Sequence, residues 1–288
     1  IEIDGSTSGG TADGIHFKGA ITNFQIVNNY IHNMGGSAIE FGGLPSGDQM
    51  DIQGNLFKNN HDPAIVVPES FVGSLIAEYN SWGQMDAPSI NNVDTDPNTY
   101  VRIFVESTDT PWANQVVAGN TITYTVKADL KNITGAELTL EYPEEISIEG
   151  EITLGEIFDD EDIDTDQPGK IIYSGFQFPI GEDDPSDPVT GSKDLFTVTF
   201  TVPNTGSYPL SFDLATDNFA MAPASGPSNY VYADSLTGAT IKGITLPNIT
   251  SVGMEGYYLT GDFHEFTVTT VNPDTGGHFM HVKFPIEI

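Results

Sequence analysis

Short runs of alternating apolar and polar residues cover most of the chain, and no stretch sustains the apolar spacing of an amphipathic helix. In the first third the alternation itself repeats. "DGIHFKG", "SAIEFGG" and "PAIVVPE" recur with a period in the mid-twenties, each followed by a second strand-like run that reaches Asn29, Asn55 or Asn80. Short strands and Asn/Gly turns at such a period predict a stack of supersecondary units, each burying its apolar face against the next. Equivalent residues should then form inward columns: Ile15, Ile39 and Ile65; Phe17, Phe41 and Val67; Ile31, Phe57 and Trp82.

The repeated asparagines carry two expectations. Asn tolerates left-handed backbone geometry better than other non-glycine residues, which suits a turn. Its amide can also bond the equivalent Asn of the next repeat, making a ladder. On the outward row His16 falls beside Glu40, a pair we read as solvated rather than catalytic.

After "NNVDTDPNTYV" the pattern changes. The runs "YVRIFVES", "NTITYTVKADL", "AELTLEY", "KIIYSGF", "DLFTVTFTV", "YPLSFDLA" and "GATIKGI" alternate as half-buried strands and are separated by turn-rich loops. That arrangement predicts an antiparallel sandwich or jelly roll. The chain thus divides into residues 1–96, 97–243 and 244–288.

Composition narrows the function. With 41 acidic residues against 9 basic ones, the net charge is −32, which repels nucleic-acid phosphates and anionic lipid headgroups. The absence of Cys excludes thiol catalysis, disulfides and Cys-based metal centres. No run is long and apolar enough to span a bilayer as a helix. The strand-like openings "IEIDG" and "HVKFPIEI" at the two ends are expected to be cuts through a longer protein, covered by further segments or by neighbouring copies.

Three resemblances sharpen the architecture. The repeats, with the closing "YNSWG" and "DAP", resemble the right-handed parallel β-helix repeats of pectate-lyase-like and related surface proteins. The stretch "VAGNTITYTVKADLKNITGAELTLEYPEEISIEGEITLG" and the later "GSKDLFTVTFTVPNTGSYPLSF" resemble a cohesin domain, with a strand, a short "KNITG" turn and a second strand ending at a Tyr-Pro corner. "GYYLTG" and "FTVTTVNP" resemble the opening of Ig-like modules in prokaryotic surface proteins. The implied fold class is all-β: right-handed parallel β-helix coils, then an antiparallel cohesin-like sandwich, then a partial Ig-like β unit. Cohesins bind dockerins through one sheet face, so a protein-binding role is implied.

The candidate chemistry is ionic. Asp94, Asp96 and Asn98, and again Asp162, Asp164 and Asp166, place oxygen ligands at alternate positions, the donor type that Ca2+ takes. The second set is not an EF-hand, since Gln167 and Tyr173 stand at the required Gly and Glu positions. A further acidic run holds Glu182, Asp183, Asp184 and Asp187. Asn132 and Asn248 head N-glycosylation triplets. His264, His278 and His281 read as exposed structural residues, the last two facing opposite sides of a strand.

Three functional readings follow. The main one is a structural or adhesive segment of an extracellular, modular cell-surface protein of S-layer, filament or adhesin type, whose partners are other copies, other surface proteins or polysaccharide. The others are a fragment of a carbohydrate-active β-helix enzyme with its catalytic coils upstream, and a cohesin-type dockerin-binding module. The first and third are not enzymes.

Overall fold

A computed structural model describes residues 1–6, 10–61, 63–72, 74–108, 114–177, 187–213, 218–221, 230–231, 233–245, 249–253 and 267–270. Among the described residues every regular element is a β-strand. The N-terminal repeats build short parallel sheets. Glu2–Asp4, Tyr30–His32 and Leu56–Lys58 form one, and Ile15–Phe17, Ile39–Phe41 and Ile65–Val66 form a second. Ile21–Val27 pairs with Pro45–Gln53 in a third, and Leu75–Ile76 with Val93–Asp94 in a fourth.

The register follows the repeat. Ile15 lies against Ile39 and Ile39 against Ile65, with Ile39 and Ile65 wholly buried. Phe17 stacks on Phe41 at 5.0 Å between ring centroids. Ile31 pairs with Phe57, and Phe57 meets Trp82 at 4.9 Å. Because side chains alternate across a strand, a slip of one residue would turn each column to solvent. Burial of the isoleucines therefore holds the register.

The asparagines divide their two expected roles between neighbours. Asn29, Asn55 and Asn80 are buried and bond one another, but the left-handed backbone belongs to the residue before each: Asn28 (φ 56°), Gly54 (φ 66°) and Tyr79 (φ 56°). The left-handed turn swings the chain so that the next amide points inward. The same residue cannot both make the turn and fill the interior.

From Tyr100 the chain forms a β-sandwich whose spine is one strand of 21 residues, Thr121–Glu141. Its first half pairs antiparallel with Tyr100–Ser107 and Val189–Thr201, and its second half with Lys170–Phe176 and Asn218–Met221. The turn expected at "KNITG" is instead an irregularity within that strand, with Asn132 at φ 56° and a register shift between Leu130 and Ile133. The strand continues because both halves find partners while its neighbours change. The pairing is also mixed rather than wholly antiparallel. Ser235–Thr237 returns parallel to Tyr100–Ser107, and Ala239–Ile244 runs parallel to Gln115–Val117. Tyr124, Val126, Leu138, Leu140, Tyr173, Phe196, Phe200 and Ile241 fill the interior. After Ile244 the described strands are Ile249–Gly253 and Thr267–Thr270, an antiparallel pair. The Ig-like reading and His264, His278 and His281 otherwise lie outside the described residues.

Candidate functional site

The outward face of the second parallel sheet gathers three chemistry-bearing side chains. Parallel pairing sets His16 beside Glu40, and Asp13 reaches across from the turn before the strand. His16 Nδ1 lies 3.2 Å from Asp13 Oδ2 and 3.6 Å from Glu40 Oε2. The three ligand atoms all fall within 4.8 Å of one another. Asp13 is positioned by the Ser37 N–H, which donates to its Oδ1 at 2.9 Å. Gly36 leaves the space this needs, since a Cβ there would lie 2.3 Å from that oxygen.

The neighbouring carboxylates shift each other in opposite directions. Asp13 is raised by burial, yet hydrogen bonds from Glu40, the Ser37 N–H and His16 bring it below its usual range. Glu40 is pushed up by its hydrogen bond to Asp13, then by burial and the Asp13 charge. The His16–Glu40 neighbourhood is legible in the repeat. Asp13 is not, because its reach depends on the turn and on the room at Gly36.

A second histidine is arranged differently. His32 Nε2 meets Glu2 Oε1 at 3.1 Å, its Nδ1 lies 3.6 Å from Asp4 Oδ1, and the ring stacks on Tyr30 at 4.0 Å. Asn33 Nδ2 also lies 2.7 Å from His32 Nδ1, and the two carboxylates sit at opposite ring nitrogens, so they do not converge on one ion.

In the acidic strand the carboxylates expected to hold Ca2+ are spread along the backbone. Asp160–Asp164 is a strand paired with Lys170–Phe176, so Asp162 and Asp164 project from one exposed face two residues apart, a spacing of about 6.6 Å along the strand. Asp166 lies in the following turn, and its N–H donates to Asp164 Oδ1 at 2.7 Å. Glu161, on the other face, has a structural role. It accepts the N–H groups of Glu156, Ile157 and Phe158 at 3.1, 2.5 and 2.7 Å.

At the boundary, Asp94 and Asp96 are exposed near Glu78, whose carboxyl is raised by burial and then by those two charges. Asn98 is wholly buried, its Nδ2 donating to Met85 O at 3.1 Å. Asp187 is described; Glu182, Asp183 and Asp184 lie outside the described residues, as does Asn248. The Nδ2 of Asn132, the atom that would carry a glycan, donates to Asn98 O at 2.6 Å, and Thr134 is buried. The folded chain does not present that triplet.

The junction between the two halves holds a group the sequence did not reveal. Asp234 is 3% exposed. Its Oδ2 accepts the Val101 N–H at 2.7 Å, its Oδ1 accepts the Ser81 hydroxyl, and the Gly83 N–H donates to the same carboxylate. Its own N–H donates to Val101 O at 2.7 Å, and Lys58 Nζ donates to its carbonyl. Burial pushes the carboxyl up to about 6, against the pull of those donors and the Lys58 charge.

No family model matches the chain, and no curated protein does. Among solved structures it is similar to a non-cellulosomal cohesin from the hyperthermophilic archaeon Archaeoglobus fulgidus, at 18% identity and TM-score 0.38, over 51% of this chain and 92% of the other. The cohesin module of a family 33 glycoside hydrolase from Clostridium perfringens matches at 18% and 0.36, covering 50% and 96%. A type II cohesin domain from the cellulosome of Acetivibrio cellulolyticus matches at 13% and 0.37, covering 49% and 95%.

Proposed function

We propose that the chain is a non-catalytic structural segment of a secreted, modular cell-surface protein of S-layer, filament or adhesin type, working through protein–protein and protein–glycan contacts. In this reading the stacked repeats are coils of a right-handed parallel β-helix, the sandwich is cohesin-like, and the strands after Ile244 open an Ig-like unit. The observation that supports it is the junction. The column Glu2–Asp4, Tyr30–His32, Leu56–Lys58 continues by single parallel bridges through Ser81 to Thr99, next to the first sandwich strand. Asp234 then ties both sides together. A joint made of backbone pairing and a buried carboxylate resists bending, as a segment that holds its neighbours at a set distance requires. The charge of −32 keeps such a protein soluble outside the cell.

A second reading, a cohesin-type binding module, is supported by the outward face of the sandwich. There Thr123 faces Thr199 with hydroxyl oxygens 3.0 Å apart, beside the Lys127–Glu106 ion pair at 2.8 Å. Calcium belongs to the proposal at the boundary, where it would relieve the repulsion among Glu78, Asp94 and Asp96.

Analytical ultracentrifugation over a wide concentration range, with and without a dockerin module, tests both readings. Reversible self-association supports the structural segment. Saturable one-to-one binding of the dockerin moves the assignment to the binding module. A chain that stays monomeric and ignores the dockerin overturns the proposal.

A further inference from the structure

We propose that Asp13, His16 and Glu40 form a binding site for one divalent first-row transition cation of the zinc type, joining two successive repeats. The spacing carries the inference. A four-coordinate ion with bonds of about 2.0–2.1 Å holds its ligand atoms roughly 3.4 Å apart. His16 Nδ1 stands 3.2 Å from Asp13 Oδ2 and 3.6 Å from Glu40 Oε2, so an ion can enter with small side-chain rotations. Asp13 and His16 come from one repeat and Glu40 from the next, so binding clamps the sheet across its pairing direction.

The support around the ligands is that of a held site. The Ser37 N–H fixes Asp13 Oδ1 and leaves Oδ2 turned to the imidazole. Gly36 provides the room for that carboxylate, and a Cβ on Gly42 would lie 3.4 Å from His16 Nε2. With Nδ1 as the ligand, Nε2 keeps its proton. The Ser37 N–H bond to Asp13 is an outer-shell contact of the kind that orients a ligand and tunes affinity.

The donor set selects the ion. Ca2+ takes six to eight oxygens, whereas one imidazole nitrogen with two carboxylates suits Zn2+, Co2+ or Ni2+. Three protein ligands leave a fourth position open to solvent, where water completes the shell. His32 is the internal control, because its carboxylates flank opposite ring nitrogens.

The test is calorimetric titration of the full chain with ZnCl2, in buffer holding millimolar Ca2+ and Mg2+ to occupy the scattered surface carboxylates. One Zn2+ per chain is expected. His16→Ala should weaken binding by roughly tenfold or more, and His32→Ala should leave it unchanged. Glu40→Gln keeps the side-chain size and guards against a folding artefact; it too should weaken binding while the circular dichroism spectrum stays the same. Co2+ at the site should give the visible spectrum of a low-coordinate N/O complex, abolished by His16→Ala. Zn2+ binding that is absent over the Ca2+/Mg2+ background, or that survives His16→Ala intact, overturns the site.

Discussion

Asn55 Oδ1 accepts two hydrogen bonds from Asn29, one from its backbone N–H at 2.9 Å and one from its side-chain amide at 3.0 Å. Asn80 Oδ1 does the same for Asn55, at 2.9 and 3.0 Å. Each rung also donates upward, Asn55 to Ile26 O at 2.8 Å and Asn80 to Ile52 O at 2.7 Å. The repeats are thus joined inside by a chain of amides with its donors and acceptors matched.

Asn55→Ala should be among the most damaging substitutions in the stack. It removes the acceptor of two buried donors of Asn29 and leaves the Ile26 carbonyl without its amide. Losses of this kind sum to about 3 kcal/mol. Asn28→Gly, at φ 56°, should change stability little, since Gly adopts that geometry freely. Urea unfolding of the two variants checks the contrast, and equal midpoints would contradict it.

Asp234 should make stability depend on pH in a stated direction. Its folded value, about 6, lies above the ordinary 3.8, so between the two the folded chain binds more protons than the unfolded chain. Its contribution is complete below the lower value and is lost as pH rises through the upper one. The total is about 3 kcal/mol, one pKa unit being about 1.4 kcal/mol. Asp234→Asn cannot ionise, so the unfolding free energy of the parent, taken relative to this variant, should fall between pH 4 and pH 6. Parallel curves across that window would exclude Asp234 as the cause.

Glu161 and Asp162 stand next to each other in the acidic run and should behave oppositely. Glu161→Ala strips the acceptor from three backbone N–H groups and should cost about 1–2 kcal/mol. Asp162→Ala, on the exposed face, should fall within about 0.5 kcal/mol of the parent. Thermal melts of the pair decide whether the run acts as a surface or as a turn clasp.

Calcium should act at the boundary and not in the acidic strand. A ligand bound only by the folded state stabilises it, by about 2.7 kcal/mol at a hundredfold excess over its dissociation constant. The melting midpoint should therefore rise in millimolar Ca2+ relative to chelator. Asp94→Asn with Asp96→Asn should remove the rise, and Asp162→Asn with Asp164→Asn should keep it. A midpoint indifferent to chelator in the parent chain removes calcium from the account.

Much of the first third was legible because a repeat is local information. The period set which residues stack, the alternation set which of them face inward, and the recurring Asn pointed to the ladder; the pairing of His16 with Glu40 followed from the same register. The repeat did not show that Asn28, Gly54 and Tyr79 make the left-handed turns, since that depends on where the next amide must point. Asp13 joined His16 and Glu40 only because the turn before the strand is held by Ser37 and has room at Gly36. In the sandwich, alternation identified strands but not their partners. Turn-like residues at "KNITG" read as a break, yet they lie within a strand because neighbouring backbone satisfied them in place. Asp234 was the least visible of all. Its partners Ser81 and Val101 are 153 and 133 residues away, and its role comes from removal from water among donors that only the folded chain assembles. Periodicity prescribes burial and register within a repeat, whereas the ionisation of a buried acid and the choice of strand partners are set by long-range encounter.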